Sequence, residues 1–301
     1  MSYLYFPGCS LKSSGRGYEE SLLAVCAALD LPVEELKDWN CCGATAYMSV
    51  SEMKAFALSG RNLALAERQQ AQAGSIDLMV PCAACYLGLN KAQRYIREYA
   101  DIRSQVGQAL SAAGLSYSGR VRVRHPLDIF INDVGVEKLT ARVRQPLKGL
   151  RIACYYGCQL VRPYADFDDQ HVPTSMETIM KALGAEPIDW PLKTRCCGGS
   201  LIGTVPDVGM RLSYLILKEA QKRGADLLIT ACPLCQFNLE CYQSKMNRKF
   251  EQAVDLPVVY VTQAMGMAFG LSQRQLGLQR LFVPVREARA TAAVAGGGYH
   301  G

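Results

Sequence analysis

One five-cysteine pattern is written twice in this chain, and that duplication restricts the fold more than any other feature. The first copy runs through Tyr3-Leu4-Tyr5-Phe6-Pro7-Gly8-Cys9, the triplet Cys41-Cys42-Gly43, a helical pattern ending near Gly74, the apolar run Ile76-Asp77-Leu78-Met79-Val80, and Pro81-Cys82-Ala83-Ala84-Cys85. The second repeats each part in order: Ile152-Ala153-Cys154-Tyr155-Tyr156-Gly157-Cys158, then Cys196-Cys197-Gly198, a helical pattern ending near Gly224, Asp226-Leu227-Leu228-Ile229-Thr230, and Cys232-Pro233-Leu234-Cys235. Gly74 precedes Cys82 by eight positions, as Gly224 precedes Cys232. A tandem duplication of roughly 150 residues accounts for the match.

Within each copy, short apolar runs alternate with helical patterns, the signature of βαβ units and a parallel sheet. The expected fold is therefore α/β: two tandem Rossmann-like domains, each with a mainly parallel sheet, at residues 1–147 and 148–285. Residues 286–301 form a tail whose stretch RATAAVAGGGYHG, from Arg289, has no periodic pattern and is expected to be disordered. In the first copy Ser49 and Glu52 fit a capping box, and Gly74 suits the left-handed residue that closes a helix. The strand at 76–80 delivers Cys82 to its carboxyl end, and Cys85 then falls in the first turn of a helix, where the dipole favours a thiolate. Open α/β sheets bind ligands beyond the carboxyl ends of their strands. Cys9 also follows a strand, so these thiols are expected to converge on one edge of the sheet.

Thirteen cysteines in 301 residues are many, and the count is odd. Met1 to Phe6 has no basic n-region and meets Pro7-Gly8 too soon for a signal peptide. The thiols are thus expected to be cytoplasmic and reduced, a setting in which clustered cysteines serve as metal ligands or redox groups more often than as disulfides. The longest apolar run, 256–271, contains Thr262 and Gln263 and falls short of the ~20 residues of a membrane span, so no transmembrane helix is expected. The net charge of +6 is scattered instead of striped with aromatics, so nucleic acid is not implied. In Arg120-Val121-Arg122-Val123-Arg124-His125 charge alternates with valine. That pattern reads as a half-exposed strand, the competing use being a docking surface for an acidic partner.

A single buried cysteine behaves as a small hydrophobe, and that reading suits Cys26, Cys154 and Cys241. It fails for the other ten, which repeat as a set. Zinc is a rival ligand, but a structural zinc site needs four donors and each copy offers five. Adjacent thiols also strain to occupy two positions on one tetrahedral ion, whereas they can readily bind different irons of a multinuclear cluster. Iron–sulfur clusters take their protein ligands as thiolates, which fits the set best. Aligning Pro7-Gly8-Cys9 with Tyr156-Gly157-Cys158 favours Cys158 as the first member of the second set, with Cys154 the competing position.

The intervals are 31 residues from Cys9 to Cys41 and 39 from Cys42 to Cys82, then 37 from Cys158 to Cys196 and 34 from Cys197 to Cys232. This order resembles the cysteine-rich CCG domain. Its duplication, from residue 3 to about 270, resembles the B-subunit family of the heterodisulfide reductases, including the branch found in bacterial sulfur oxidation. The resemblance implies an iron–sulfur oxidoreductase subunit that cleaves or forms a disulfide, or oxidises a bound thiol or persulfide, in two one-electron steps. It implies two non-cubane [4Fe-4S] clusters, one on Cys9, Cys41, Cys42, Cys82 and Cys85 and one on Cys158, Cys196, Cys197, Cys232 and Cys235. Gly43 and Gly198 would let the backbone turn closely around the cofactor. No catalytic residue is identified beyond these ligands.

The chain has no glycine fingerprint for flavin or nicotinamide and no ferredoxin-type cysteine run, so its electrons must come from elsewhere. By resemblance the partners in a heterodisulfide reductase-like complex are its ferredoxin-like C subunit and its flavin-containing A subunit, and the substrate is a disulfide, a thiol or lipoate-carried sulfur. Methanogenic members carry histidines where this chain has Tyr155-Tyr156-Gly157-Cys158-Gln159, so a proton donor beside the cleaved sulfur is expected to differ. His125, His171 and His300 are read as structural. The alternative is a non-catalytic relay or anchoring CCG subunit of a succinate-, lactate- or glycolate-oxidising system. Under the leading reading the two cysteine-bearing edges face each other across a crevice lined by Gly43-Ala44-Thr45 and Gly198-Gly199-Ser200.

Overall fold

The computed structural model describes residues 2–44, 46–251 and 253–285. The tail from residue 286, including the stretch expected to be disordered, and Thr45 lie outside the described residues.

The first half contains β1 (Tyr3–Tyr5), α1 (Gly8–Leu11), α2 (Arg16–Ala28), β2 (Val33–Glu35), α3 (Ala46–Val50), α4 (Glu52–Gln69), β3 (Ile76–Met79), α5 (Ala83–Glu98), α6 (Ala100–Ala112), β4 (Val121–Arg124), α7 (Pro126–Ile129) and α8 (Val136–Ala141). The second contains β5 (Arg151–Tyr155), α9 (Ser175–Ala182), β6 (Glu186–Pro187), α10 (Leu201–Thr204), α11 (Pro206–Lys222), β7 (Leu227–Thr230), α12 (Pro233–Cys241), α13 (Gln243–Phe250), β8 (Val258–Tyr260) and α14 (Val261–Ala268). Each half builds one four-stranded sheet, in the orders β2-β1-β3-β4 and β6-β5-β7-β8. Every pairing is parallel. Parallel strands covered on both faces read as continuous apolar runs, and β1, β7 and β8 are buried throughout. The two-unit α/β architecture expected from the repeat is what the chain adopts.

The strand order reverses between β1 and β3, and between β5 and β7, so a crevice opens at the carboxyl ends of those pairs. Cys9 follows β1 and Cys82 follows β3; Cys158 follows β5 and Cys232 follows β7. The topology therefore brings a cysteine to both sides of each switch point.

The halves exchange helices. Helix α14 of the second half packs against α2 of the first, while α7 and α8 pack against α9 of the second. Ser21 Oγ and Thr262 Oγ1 meet 2.6 Å apart, both wholly buried, and the Tyr18 and Tyr260 rings stack with centroids at 4.4 Å. A buried hydrogen bond of this kind contributes about 1 kcal/mol and the stacking about as much again. Arg280 forks onto Glu20 at 2.7 and 2.9 Å and closes the same seam at the surface.

Three local expectations change or settle. Ser49 lies inside α3 instead of capping the long helix, which begins after Ser51. Helix α4 stops at Gln69 and Gly74 is not left-handed, because Arg120 donates to the carbonyls of Ala71 (3.1 Å) and Ala73 (2.7 Å) and so satisfies that turn with a side chain. Gly224, by contrast, follows α11 with φ +75°, the conformation expected of Gly74. The basic stretch is strand β4, alternating in and out; Arg122 pairs with Asp77 and Arg124 with Asp128 and Asp133, each at 2.6 Å. Its charge is largely spent within the chain, which removes the ground for an acidic docking partner. Among the described residues no helix is long and apolar enough to cross a membrane.

Gly43 (φ +76°) and Gly198 (φ +98°) each press a backbone turn against the helix that follows. A Cβ at Gly43 would stand 3.0 Å from Ala55 Cα, and one at Gly198 would stand 2.8 Å from Gly209 Cα. Gly198→Ala is expected to cost roughly 2–4 kcal/mol by denaturant unfolding, from the left-handed φ and the backbone collision together. Gly107→Ala, in α6 with nothing within 4 Å of the new methyl, should instead be neutral or stabilising by about 0.5–1 kcal/mol. Equal effects at the two sites would refute this account of the turn.

Candidate metal centre

The ten repeated thiols lie at the carboxyl ends of the two sheets. Cys82 and Cys232 are the N-cap residues of α5 and α12, with extended backbones, and Cys85 and Cys235 sit one turn in. The Cys42 and Cys85 sulfurs are 3.0 Å apart; their counterparts Cys197 and Cys235 are 3.5 Å apart. Cys41 hydrogen-bonds Cys42, and Cys158 hydrogen-bonds Cys196. Cys9 is exposed on α1, close enough to Cys41 for its charge to be felt there. The two sets meet: the Cys82 and Cys232 thiols, 150 positions apart in the chain, hydrogen-bond each other.

Three cysteines stay outside. Cys154 is wholly buried inside β5, its carbonyl accepting from Trp190 Nε1 at 3.0 Å. Cys26 packs in α2, where burial pushes its thiol up to about 12. Cys241 ends α12 away from the paired sulfurs, in the wall of a separate cavity of about 470 Å³. The structure thus brings Cys158, not Cys154, to the second set.

Donors around the sulfurs hold some thiols down. Cys196 is lowered to about 6, chiefly because Cys158 donates to it, with the Gly198 N–H at 3.4 Å adding to the effect. Cys232 is held well below the ordinary thiol range by Cys235 and Cys82, then by the N–H groups that open α12. Cys42 is lowered likewise by Cys41 and Cys85. These sulfurs give up protons readily, which metal ligation requires.

The surroundings also repeat. Ser59 on α4 donates to the Cys42 carbonyl and Ser213 on α11 to the Cys197 carbonyl, each at 2.7 Å, and both serines are wholly buried. They lie 17 and 16 positions after their cysteines, a spacing the repeat carried and a search for sulfur ligands passed over. Gly8 and Gly157 back the equivalent sulfurs of Cys85 and Cys235: a Cβ at Gly8 would stand 3.1 Å from Cys85 Sγ, and one at Gly157 3.1 Å from Cys235 Sγ. Asn238 donates to the Gly199 carbonyl at 2.8 Å and approaches Cys197 Sγ at 3.6 Å.

A cavity of about 240 Å³ opens over the second set, lined by Ala83 from the first half and by Tyr156, Cys158, Gln159, Ser200 and Cys232 among others. The Tyr156 hydroxyl donates to Glu177 at 2.5 Å and accepts from the Met176 N–H at 2.7 Å, while Glu177 pairs with buried Lys193 at 2.6 Å. His125 is wholly buried. Its Nδ1 accepts the Leu127 N–H, so Nε2 carries the proton and donates to the carbonyl of Pro81, at 3.0 Å, and to that of Ala231. One neutral imidazole therefore ties together the residues preceding Cys82 and Cys232.

Among the described residues, no three His, Cys, Asp or Glu side chains close around one point as a mononuclear ion requires. The donors that gather at the strand ends are instead sulfurs, with Cys42 and Cys85, and Cys197 and Cys235, in contact. Glycines stand where any side chain would crowd the sulfurs. That donor chemistry fits an iron–sulfur cluster better than a tetrahedral ion.

A family model described as a cysteine-rich domain, CCG, matches residues 3–90 and again 152–240. The chain is 31% identical over 278 residues to the membrane anchor subunit of an 8-methylmenaquinol:fumarate reductase from Wolinella succinogenes, covering 92% of this chain and 95% of that one. It is 28% identical over 280 residues to the B subunit of a ferredoxin:CoB-CoM heterodisulfide reductase from Methanosarcina mazei, covering 91% of each. It is also 28% identical over 283 residues to a protein from Archaeoglobus profundus described as like the heterodisulfide reductase B subunit, covering 92% and 93%. A crystal structure of a hypothetical protein from Helicobacter pylori shares the fold, with a TM-score of 0.76 at 14% identity. The match covers 95% of this chain, which spans about half, 52%, of that one.

The buried imidazole makes a pH prediction. Burial drives the His125 pKa down to about 4, against ~6.5 in an unfolded chain. The unfolded state therefore takes up the proton first, so the stability His125 contributes is complete above ~6.5 and is lost as pH falls toward 4, by up to about 3 kcal/mol. Urea unfolding of the metal-free protein and of His125→Gln should show the wild-type advantage shrinking between pH 7 and pH 4.5. An advantage that stayed constant would rule out a buried neutral histidine.

Proposed function

The chain belongs to the cysteine-rich CCG family, and from that membership we propose that this iron–sulfur oxidoreductase subunit is the sulfur-handling component of a heterodisulfide reductase-like complex. Cys9, Cys41, Cys42, Cys82 and Cys85 would hold one four-iron cluster of the non-cubane type, and Cys158, Cys196, Cys197, Cys232 and Cys235 a second. When bound, the clusters supply the one-electron steps by which a disulfide is cleaved or formed. The residues of this chain shape the place where that happens. The single observation that carries the reading is the Cys82–Cys232 contact, which sets two sulfur-rich sites against each other across the seam.

Reduction of a disulfide takes two electrons and two protons: R–S–S–R′ + 2e⁻ + 2H⁺ gives RSH and R′SH. Both sulfurs must be held within near-contact reach of their acceptors, and adjoining sites meet that demand. The cavity beside the second set admits a small sulfur group, with Gln159 and Ser200 as polar contacts and Ala83 leaving room from the opposite half. Tyr156 belongs to its wall, with its hydroxyl fixed by Glu177 and Met176, where the methanogenic members have histidine nearby. The electron donors are the ferredoxin-like and flavin-bearing subunits expected above, and the substrate is a disulfide, thiol or lipoate-carried sulfur.

A second reading has its own support in the likeness to a fumarate reductase anchor subunit. There the chain would dock its complex and relay electrons without touching a sulfur substrate. Two complete cysteine sets in contact favour the first reading.

Protein purified without oxygen should carry about eight irons and eight sulfides per chain. Cys42→Ser and Cys197→Ser should each remove the spectrum of one cluster, whereas Cys26→Ser should keep both and cost at most ~1–3 kcal/mol. Adding a small thiol such as 2-mercaptoethanol to the oxidised protein should alter the electron paramagnetic resonance signal. Intact clusters indifferent to thiol would favour the relay reading, and stoichiometric zinc with negligible sulfide would end both.

A further inference from the structure

Tyr18 lies at the third position of α2, wholly buried, its ring stacked on that of Tyr260 at an interplanar angle of 7°. The two phenols differ in what their hydroxyls do. Tyr260 donates to Gln236 Oε1 at 3.3 Å, and Gln236 in turn donates to Glu240 at 2.5 Å. The Tyr18 hydroxyl has no partner among the described residues. A buried O–H left unmade is costly to a fold, and substituting phenylalanine would remove that cost without disturbing the stack. The start of α2 lies against the seam. Gly15, just ahead of α2, lies so close to Pro233 that a Cβ there would stand 2.9 Å from the proline Cβ, and Pro233 adjoins Cys232. Burial first, and then the charges of Cys232 and Cys82, hold the phenol well above its ordinary pKa, so it keeps its proton.

We propose that the Tyr18 hydroxyl donates a hydrogen bond to sulfur at the seam between Cys82 and Cys232, and thereby raises the potential at which that part of the centre is reduced. This rests on the cluster reading above. Sulfur that carries thiolate or cluster charge is a far better acceptor than a neutral thiol, and donors to the sulfurs are among the levers that set an iron–sulfur potential. The donor favours the reduced state because that state is the more negative. It is also one-sided. The equivalent stacked pair is Phe167, nine positions past Cys158 as Tyr18 is past Cys9, with His125, centroids 6.1 Å apart and 3° from parallel, and Phe167 has no hydroxyl to give. Asn238 adds to the imbalance: it approaches Cys197 Sγ at 3.6 Å, while the position the same distance past Cys82 is Gly88. The duplicated scaffold thus presents two sulfur sets with unequal donors.

The test is Tyr18→Phe, compared with Tyr260→Phe and the wild type in anaerobically loaded protein. Iron and sulfide content should match the wild type in all three. In a redox titration followed by electron paramagnetic resonance, Tyr18→Phe should make one-electron reduction of one cluster about tenfold less favourable, a fall of about 59 mV for a one-electron couple. Tyr260→Phe, whose hydroxyl is committed to Gln236, should leave both potentials in place. The metal-free Tyr18→Phe protein should be no less stable than the wild type, since only an unpartnered hydroxyl is lost. Wild-type potentials in loaded Tyr18→Phe would overturn the proposal, as would a clear loss of stability in its metal-free form. A wild type without iron and sulfide would instead bring down the cluster reading, and the proposal with it.

Discussion

The contact between Cys82 and Cys232 is the constraint on which the rest of the molecule depends. Two thiols from opposite halves can meet only if both strand ends point into one seam and the helices that follow them start there together. The exchange of helices secures this. Helix α14 leans on α2 and α7–α8 lean on α9, so neither half keeps its last helices to itself. Each half is covered in part by helices of its neighbour, which makes the seam a core rather than a hinge. His125 then fixes the detail, since a single N–H shared between the Pro81 and Ala231 carbonyls leaves the two cysteine-bearing turns little freedom to drift apart.

Burial of that seam explains why so many unusual groups sit in it. In low dielectric, charge on any one sulfur must be met by donors close at hand, and the fold supplies them from helix starts, from neighbouring thiols and from the glycine-rich turns after each cysteine pair. The left-handed glycines at 43 and 198 bring backbone N–H groups to the sulfurs and at the same time seat the turn on α4 or α11. Ser59 and Ser213 pin the same turns from below. Folding stability and the shape of the centre are therefore maintained by the same residues, and a substitution at a turn glycine is expected to damage both.

Much of this was legible in the sequence because it repeats. The order of cysteines, strands and helices is periodic information, and it identified the two α/β halves and which cysteines travel as a set. Cys158 could be separated from Cys154 only in part, since both adjoin one strand; the structure places Cys154 within β5 and Cys158 beyond it. The contributors that escaped notice are those with no local signature. Ser59 and Ser213 are ordinary helix residues until their hydroxyls meet a carbonyl across a turn. His125 looked like the end of a basic strand, and its role depends on carbonyls far away in the chain. The capping box at Ser49 misled because a short helix intervenes, and Gly74 because Arg120 closes the turn that the glycine was expected to close.

Fusion of the two copies into one chain has a physical consequence beyond bringing ten sulfurs together. A symmetric pair of identical subunits would present the same groups to both sides of the seam, so neither sulfur set could differ from the other. In a single chain the copies are free to diverge at equivalent places, and here they have: Tyr260 caps α14 where His125 caps α7, Tyr18 stacks where Phe167 stacks, and Asn238 stands where the other half has Gly88. The cavity described above lies over the second set. A disulfide joining two unlike halves is itself asymmetric. Under the proposed function, splitting it one electron at a time would be easier to direct when the two receiving sites differ in donors, access and charge, so the divergence of the copies would suit that chemistry.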